Sequence, residues 1–204
     1  PMGPMLRFYL LCFLALFIII GFGQKVSESP KATFKVKFLD VGQGDFALFE
    51  SSSACVVVDF GGNKSISTGA LLSCRQKTNH LFLSHFDLDH LEQYPKVLMT
   101  LPIQKAYVSH LNAKSQTAQK FLGALAKRGT APTLFDLGDR VVIDKDFRIQ
   151  SLWPPRQTTF KGENDFSQVL LIEMAGLKFL MTGDLPTRQE NRIAWPRADI
   201  LKVG

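Results

Sequence analysis

Two histidines and two aspartates fall within His85-Phe86-Asp87-Leu88-Asp89-His90. Asp87 and Asp89 are like charges two residues apart, and a cation among them relieves their repulsion. Imidazole and carboxylate together suit a divalent metal, or a pair of them. The same residues also fit a solvated turn in which Asp89 caps a helix starting at Leu91. The density of ligand types directly after an apolar run favours the metal reading.

The elements that must position this loop follow from pattern. Leu81-Phe82-Leu83 predicts a buried strand over 81–84, with Ser84 at its end. Phe34, Val36 and Phe38 alternate with Lys35 and Lys37, the period of a half-buried strand. Gly42 and Gly44 break it in a tight turn, strands resume over 46–50 and 54–59, and Gly61-Gly62 ends the third. A short helix is expected within 66–77 and another over 91–100, with Pro102 beyond its end. Residues 106–109 read as a strand. Ser115 to Lys127 is the clearest helix, with Ala118, Phe121, Leu122 and Leu125 on one face and Gly129 as its stop. Strands are expected over 141–143, 147–153, 168–174 and 178–181, with Gly176 turning the last pair. A final helix over 190–194 and a strand from Ile200 close the pattern. Strands and helices with candidate site residues at strand ends predict a layered α/β architecture.

Ser84 to His90 resembles the metal loop of the metallo-β-lactamase superfamily, usually His-x-His-x-Asp-His. Asp87 stands where the second His is usual, a variant typical of the ComEC-type competence proteins, the DNA-uptake channels of bacteria. Phe38-Leu39-Asp40-Val41-Gly42-Gln43-Gly44-Asp45 resembles the most recognisable motif of that family, and Val57-Val58-Asp59-Phe60-Gly61-Gly62 the first Asp motif of the superfamily. Leu152-Trp153-Pro154-Pro155, Asn164-Asp165-Phe166-Ser167 and Phe179-Leu180-Met181-Thr182-Gly183-Asp184 follow in the same order. Ala198 to Gly204 resembles the run that precedes a His-His-Gly-Ser motif. The likeness covers 36–204.

The resemblance implies an αβ/βα sandwich over 33–204, incomplete at its C-terminus. A linker at 24–32 and an apolar transmembrane or signal helix within 1–23 would precede it. It implies two divalent ions, Mn²⁺ or Zn²⁺, at one edge between the sheets. His85 and Asp87 would hold one ion, Asp89 and His90 the other, and Asp184 would bridge them. Asp89 and His90 would also be catalytic. Asp59 would orient the metal loop, and Asp40, Gln43 and Asp45 would form a glycine-pinned turn at the edge of the site. Asn164 and Ser167 would contact metal or phosphate, or cap their own loop. Without the resemblance, Asp184 reads as a turn residue in Thr-Gly-Asp. One departure is His90-Leu91-Glu92-Gln93, where the family has His-Ile-Gly-Gly. Side chains there occupy a place where close backbone approach is usual. His80 reads as structural, and His110 as a lone residue that could line a substrate groove.

The chain of 204 residues is 46% hydrophobic and 21% charged, enough for one domain plus an appendage. Cys12, Cys55 and Cys74 show no Cys-x-x-Cys spacing and predict no disulfide framework. Cys55 is expected as a small core residue, with a Cys55–Cys74 pairing left open. A net charge of +6 favours a polyanionic partner. Lys105, Lys114, Lys120, Lys127 and Arg128 gather in one stretch, which fits phosphate neutralisation or, for each alone, a solvated face. Residues 8–23 carry no charge and fit a signal segment behind Arg7 or the last helix of a channel.

Three functions are consistent with these features. The first is a metal-dependent nuclease or phosphodiesterase acting on DNA, single strand or duplex, during competence-related uptake. The domain would sit outside the bacterial cytoplasmic membrane beside a transmembrane channel domain. The second is a secreted metallo-hydrolase of a lactam or thioester. The third is a degenerate domain that binds DNA or supports the channel. Lys25, Lys31, Lys35 and Lys37 after the apolar run argue for the opposite side of the membrane under the positive-inside rule.

Overall fold

Short strands with inward-facing aromatic and β-branched residues build two sheets in the computed structural model, which describes residues 33–204. The apolar segment expected at 1–23 and the linker at 24–32 lie outside the described residues. The first sheet runs in the order β1 (Lys35–Phe38), β2 (Ala47–Glu50), β3 (Ala54–Val58), β4 (Thr78–Leu83), β5 (Ile103–Val108) and β6 (Pro132–Leu134). β1 to β3 pair antiparallel, and β3 to β6 pair parallel. The second sheet contains β7 (Arg140–Asp144), β8 (Phe147–Trp153), β9 (Val169–Met174), β10 (Leu177–Met181) and β11 (Ile200–Lys202), adjacent in sequence order. Its pairs are antiparallel except β10 with β11.

Phe49, Val56, Val58, Phe82 and Tyr107 of the first sheet pack against Phe147, Ile149, Ile172, Met174 and Phe179 of the second. The opposite face of the first sheet presents Leu48, Val57, Leu81 and Leu83 to Val97 and Leu98 of α2 (Tyr94–Thr100) and to Phe121 and Leu125 of α3 (Gln116–Lys127). Leu81-Phe82-Leu83 is therefore buried on both faces, as a central parallel strand requires. Each such fully buried Phe or Leu stabilises the fold by about 1.5–3 kcal/mol. Ser115 caps α3 by accepting from the Ala118 N–H at 3.1 Å.

Several details differ from the sequence expectation. The helix expected over 91–100 is two helices, α1 (Leu88–Leu91) and α2, with Glu92 and Gln93 between them. Asp89 lies inside α1 rather than capping it; Asp87 precedes the helix, and its side chain makes no cap. The stretch 66–77 holds a 3-10 helix, Thr68–Cys74, capped by Ser67. The last helix, α4 (Thr187–Glu190), ends where it was expected to begin. β6 has three residues and starts at a proline on the sheet edge, too short and too poor in alternation to be read from sequence.

Cys55 and Cys74 form a disulfide, the pairing that the sequence left open without support. Parallel pairing of β3 with β4 returns the 3-10 helix to the face of β3, bringing two fully buried cysteines to a Cα separation of 5.7 Å. Among the described residues no helix is long and apolar enough to cross a membrane.

The bridge closes a loop spanning 19 positions, which in the chain-entropy view is worth about 3 kcal/mol. The double variant Cys55→Ala/Cys74→Ala should lose about that much unfolding free energy in urea and show no further response to reductant. Equal midpoints for wild type with and without reductant would disprove the bridge's contribution.

Candidate metal centre

Parallel pairing aligns the ends of β3 and β4, with Val58 opposite Phe82. Asp59 leaves β3 at φ 54, a left-handed backbone that aspartate tolerates better than most residues. Its buried carboxylate accepts from the Ser84 N–H at 2.7 Å, the Ser84 hydroxyl at 2.9 Å and His90 Nδ1 at 2.9 Å. Because the Ser84 hydrogen is committed to Asp59, its oxygen accepts from His85 Nδ1 at 3.0 Å. Ser167 Oγ lies 3.3 Å from the same nitrogen. These bonds leave the Nε2 lone pair of His85 pointing into the site, buried and with no hydrogen-bond partner.

The two imidazoles stand 4.3 Å apart at 49°. His90 Nε2 is 3.2 Å from Asp184 Oδ1, at the turn after β10. His85, His90 and Asp184 thus offer ligand atoms all within 4.8 Å of one another. An orphaned imidazole nitrogen, a second imidazole and a carboxylate on one side of a buried site fit a divalent cation. Asp45, Asp59 and His90 form a second such group. There Nδ1 of His90 is already bonded to Asp59, and the Lys202 ammonium pairs with Asp45, so a hydrogen-bond network describes this group better than a second ion site.

Burial alone would lower the pKa of His90, but the Asp59 carboxylate, with Asp184 on the other nitrogen, raises it to about 11. The hydrogen bond from His90 holds Asp184 below the usual carboxylate range. His85, 3.4 Å away at Nε2, lowers Asp87, although the pair makes no hydrogen bond. Burial lifts Asp45, more than Lys202 brings it down.

The remaining expected residues take varied places. Neither ligand group includes Asp87 or Asp89, and the Asp89 side chain forms no hydrogen bond or ion pair among the described residues. Asp89 contributes through its carbonyl, which accepts from the Asp45 N–H at 3.1 Å; the His90 carbonyl accepts from Phe60 at 2.8 Å. Gly44 and Gly61 press against the Asp89 carbonyl so closely that a Cβ at either would overlap it. Asp40 is exposed, accepts from Gly42 and pairs with Lys64. The Gln43 N–H donates to Asn63 Oδ1 at 3.2 Å, and its side chain is exposed. The Asn164 carbonyl accepts from the Ser167 N–H at 3.0 Å, a loop-closing bond. Trp153 Nε1 holds that loop through the Asp165 carbonyl at 2.8 Å. His80 stacks on Tyr107 away from the ligands. His110 meets Glu163 Oε1 at 2.7 Å, between the rings of Phe86 and Phe166.

Sequence reasoning missed Gln93. In the place where the family has glycine, its amide donates to the Gly61 carbonyl at 2.7 Å and the Lys64 carbonyl at 3.1 Å, and accepts from the Ile66 N–H at 2.9 Å. It ties loop 61–66 to the metal loop, a role that no local pattern reveals. Lys202 and Glu163 were also missed, since their partners are remote in sequence.

No protein-family model matches the chain. The chain is 26% identical over 195 residues to ComE operon protein 3 of Bacillus subtilis (strain 168), covering 83% of this chain and 25% of that protein. The chain therefore spans about a quarter of the length of that relative. Among solved structures, the metallo-β-lactamase fold protein YhfI from Bacillus subtilis matches with a TM-score of 0.53 at 16% identity, covering 83% of this chain and 70% of that one. Zn²⁺-bound PqqB from Methylobacterium extorquens matches with a TM-score of 0.53 at 11% identity, covering 78% and 59%. These likenesses show the metallo-β-lactamase fold.

A proton must leave His90 before a cation takes Nε2 at any pH below about 11. Apparent affinity for Mn²⁺ should therefore rise about tenfold per pH unit between pH 6 and 9, read by competition with a chelating dye. The raised pKa also stabilises the metal-free fold, fully below the unfolded value near 6.5, with the gain lost as pH rises through about 11. A pH-independent affinity would refute the assignment of Nε2. Separately, Gln93→Gly should cost about 1–3 kcal/mol in urea unfolding, because it strands the Ile66 N–H and the Gly61 carbonyl.

Proposed function

We propose that this chain is a metal-dependent phosphodiesterase domain that cleaves DNA in competence-type uptake. The observation that carries the reading is the convergence of His85, His90 and Asp184 around an unpartnered Nε2 of His85. Bound there, a divalent cation supplies Lewis acidity and charge neutralisation at phosphorus. Mn²⁺ and Zn²⁺ both suit a site of two imidazoles and a carboxylate. Asp87 lies outside that ligand group, but with its Oδ2 3.4 Å from His85 Nε2 it would offer a nearby harder oxygen and tilt the preference toward Mn²⁺.

The protein's own groups prepare the site. Asp59 holds His90 through Nδ1 and, through Ser84, orients His85, so His90 Nε2 faces Asp184 while His85 Nε2 stays unpartnered in the same ligand group. Ser167, in the loop before β9, lies 3.3 Å from His85 Nδ1 and supports that ring. Lys202 partly neutralises Asp45 and adds positive charge close to where an anionic substrate would lie. A second ion, as the resemblance implies, would compete with Lys202 for Asp45.

DNA as substrate is supported by the net charge of +6 and by the named competence relative. Location outside the bacterial cytoplasmic membrane is supported by the Cys55–Cys74 disulfide, since such bonds form and persist in oxidising compartments. Lys35 and Lys37 sit in β1 of the folded domain, so they carry little weight as a topology signal.

Metal-stripped chain reloaded with Mn²⁺ should degrade end-labelled linear DNA. His85→Ala should abolish cleavage, and Asp59→Asn should slow it about 10–100-fold with the fold intact by circular dichroism. Turnover of nitrocefin or a thioester without DNA cleavage would transfer the reading to a small-substrate hydrolase. Absence of bound metal would leave a DNA-holding or structural domain.

A further inference from the structure

A cavity of about 290 Å³ opens beside the metal centre, lined by Phe86, Asp87, Lys114, Ser115, Lys161 and Glu163. Asp87 forms a wall shared with the centre, since its Oδ2 lies 3.4 Å from His85 Nε2. The two lysines come from different parts of the chain: Lys114 precedes α3, and Lys161 lies in the loop after β8. Both are exposed, and neither has a hydrogen bond or ion pair among the described residues. Glu163 is the other charged group in the wall, and it is engaged. Its Oε1 accepts from the Phe86 N–H at 3.0 Å and from His110 Nε2 at 2.7 Å. Burial opposes its ionisation, but these donors hold its carboxyl below the usual range.

We infer that Lys114 and Lys161 form a second phosphate subsite, which takes a backbone phosphate next to the one at the metal centre. Resting on the phosphodiesterase reading, it narrows the substrate to a nucleic-acid strand with at least two linked phosphates. Two unpaired lysines lining one cavity provide point charges for a phosphate, which lysine serves without the planar geometry of arginine. The twelve-residue helix α3 begins at the same cavity, and its dipole adds positive potential there. Asp87 repels an anion placed directly against it, so the bound phosphate sits toward the lysines and the strand runs past Asp87 into the centre. A lactam has no second phosphate for this place.

The test uses the full chain and a fluorescein-labelled single strand of DNA, with binding read by anisotropy in EDTA and cleavage read separately with Mn²⁺. Lys114→Ala/Lys161→Ala should weaken binding about tenfold and flatten its salt dependence. Lys35→Ala/Lys145→Ala removes the same charge from exposed lysines elsewhere and should change binding little. With Mn²⁺, the Lys114/Lys161 variant should raise KM for the DNA strand while turnover of bis(p-nitrophenyl) phosphate, which has one phosphate, stays unchanged. Equal weakening in both double variants, or none in either, overturns the subsite even where wild type cleaves DNA. Selective weakening in a chain that cleaves nothing upholds the subsite and rejects the phosphodiesterase. Failure of wild type to bind the strand overturns the subsite.

Discussion

The buried carboxylate of Asp59 is the constraint on which the site depends. It is 2% exposed, and an ionised carboxylate at that depth costs several kcal/mol unless its oxygens are satisfied. The partners that satisfy it come from both ends of the metal loop: Ser84 where β4 ends and His90 in α1. One residue at the end of β3 therefore sets the orientation of both imidazoles. This works because β3 and β4 pair in parallel, so that their ends emerge side by side. Polar networks of this kind are costly when incomplete and rigidifying when complete. Ser84 completes this one by donating to Asp59 while accepting from His85.

Backbone fit is the second requirement. The Asp45 and Phe60 N–H groups reach the carbonyls of Asp89 and His90 only because Gly44 and Gly61 have no side chains. The glycine-rich turns after β1 and β3 thus hold the loop by its main chain, while Asp59 holds it by its side chains. This explains how Asp89 contributes although its carboxylate belongs to neither ligand group among the described residues. Gln93 secures the same turn from the other side by filling its polar groups with a single amide. A glutamine in place of glycine is therefore compatible with an ordered site.

What could be read in the sequence divides by distance along the chain. The strands were legible because each side chain reports its own face, as Leu81, Phe82 and Leu83 do. The His and Asp cluster at 85–90 was legible because its members are neighbours. Asp184 and Ser167 were reached only through resemblance, since they join His85 and His90 through the packing of two sheets. The break between α1 and α2 was hidden because it depends on bonds from Gln93 to loop 61–66. The Cys55–Cys74 pairing was hidden for the same reason: only the return of the 3-10 helix to β3 brings the sulfurs together.

Charge distribution joins these features into one argument. Overall the chain is positive, yet its centre gathers Asp45, Asp59, Asp87 and Asp184, with Lys202 and His90 as the nearby positive groups. Exposed lysines can draw a polyanion to the surface over a Debye length of about 8 Å at physiological salt. At the centre itself, the carboxylates repel a phosphate, and His90 shares its positive charge with two of them. A divalent cation held by His85, His90 and Asp184 would offset that local negative charge. In the proposed phosphodiesterase, substrate attraction and substrate seating would thereby be separated: the first would belong to the lysines, and the second would require an occupied centre. On the proposed reading, a domain built this way would gather DNA without metal and admit a phosphodiester to its reactive edge only with metal in place.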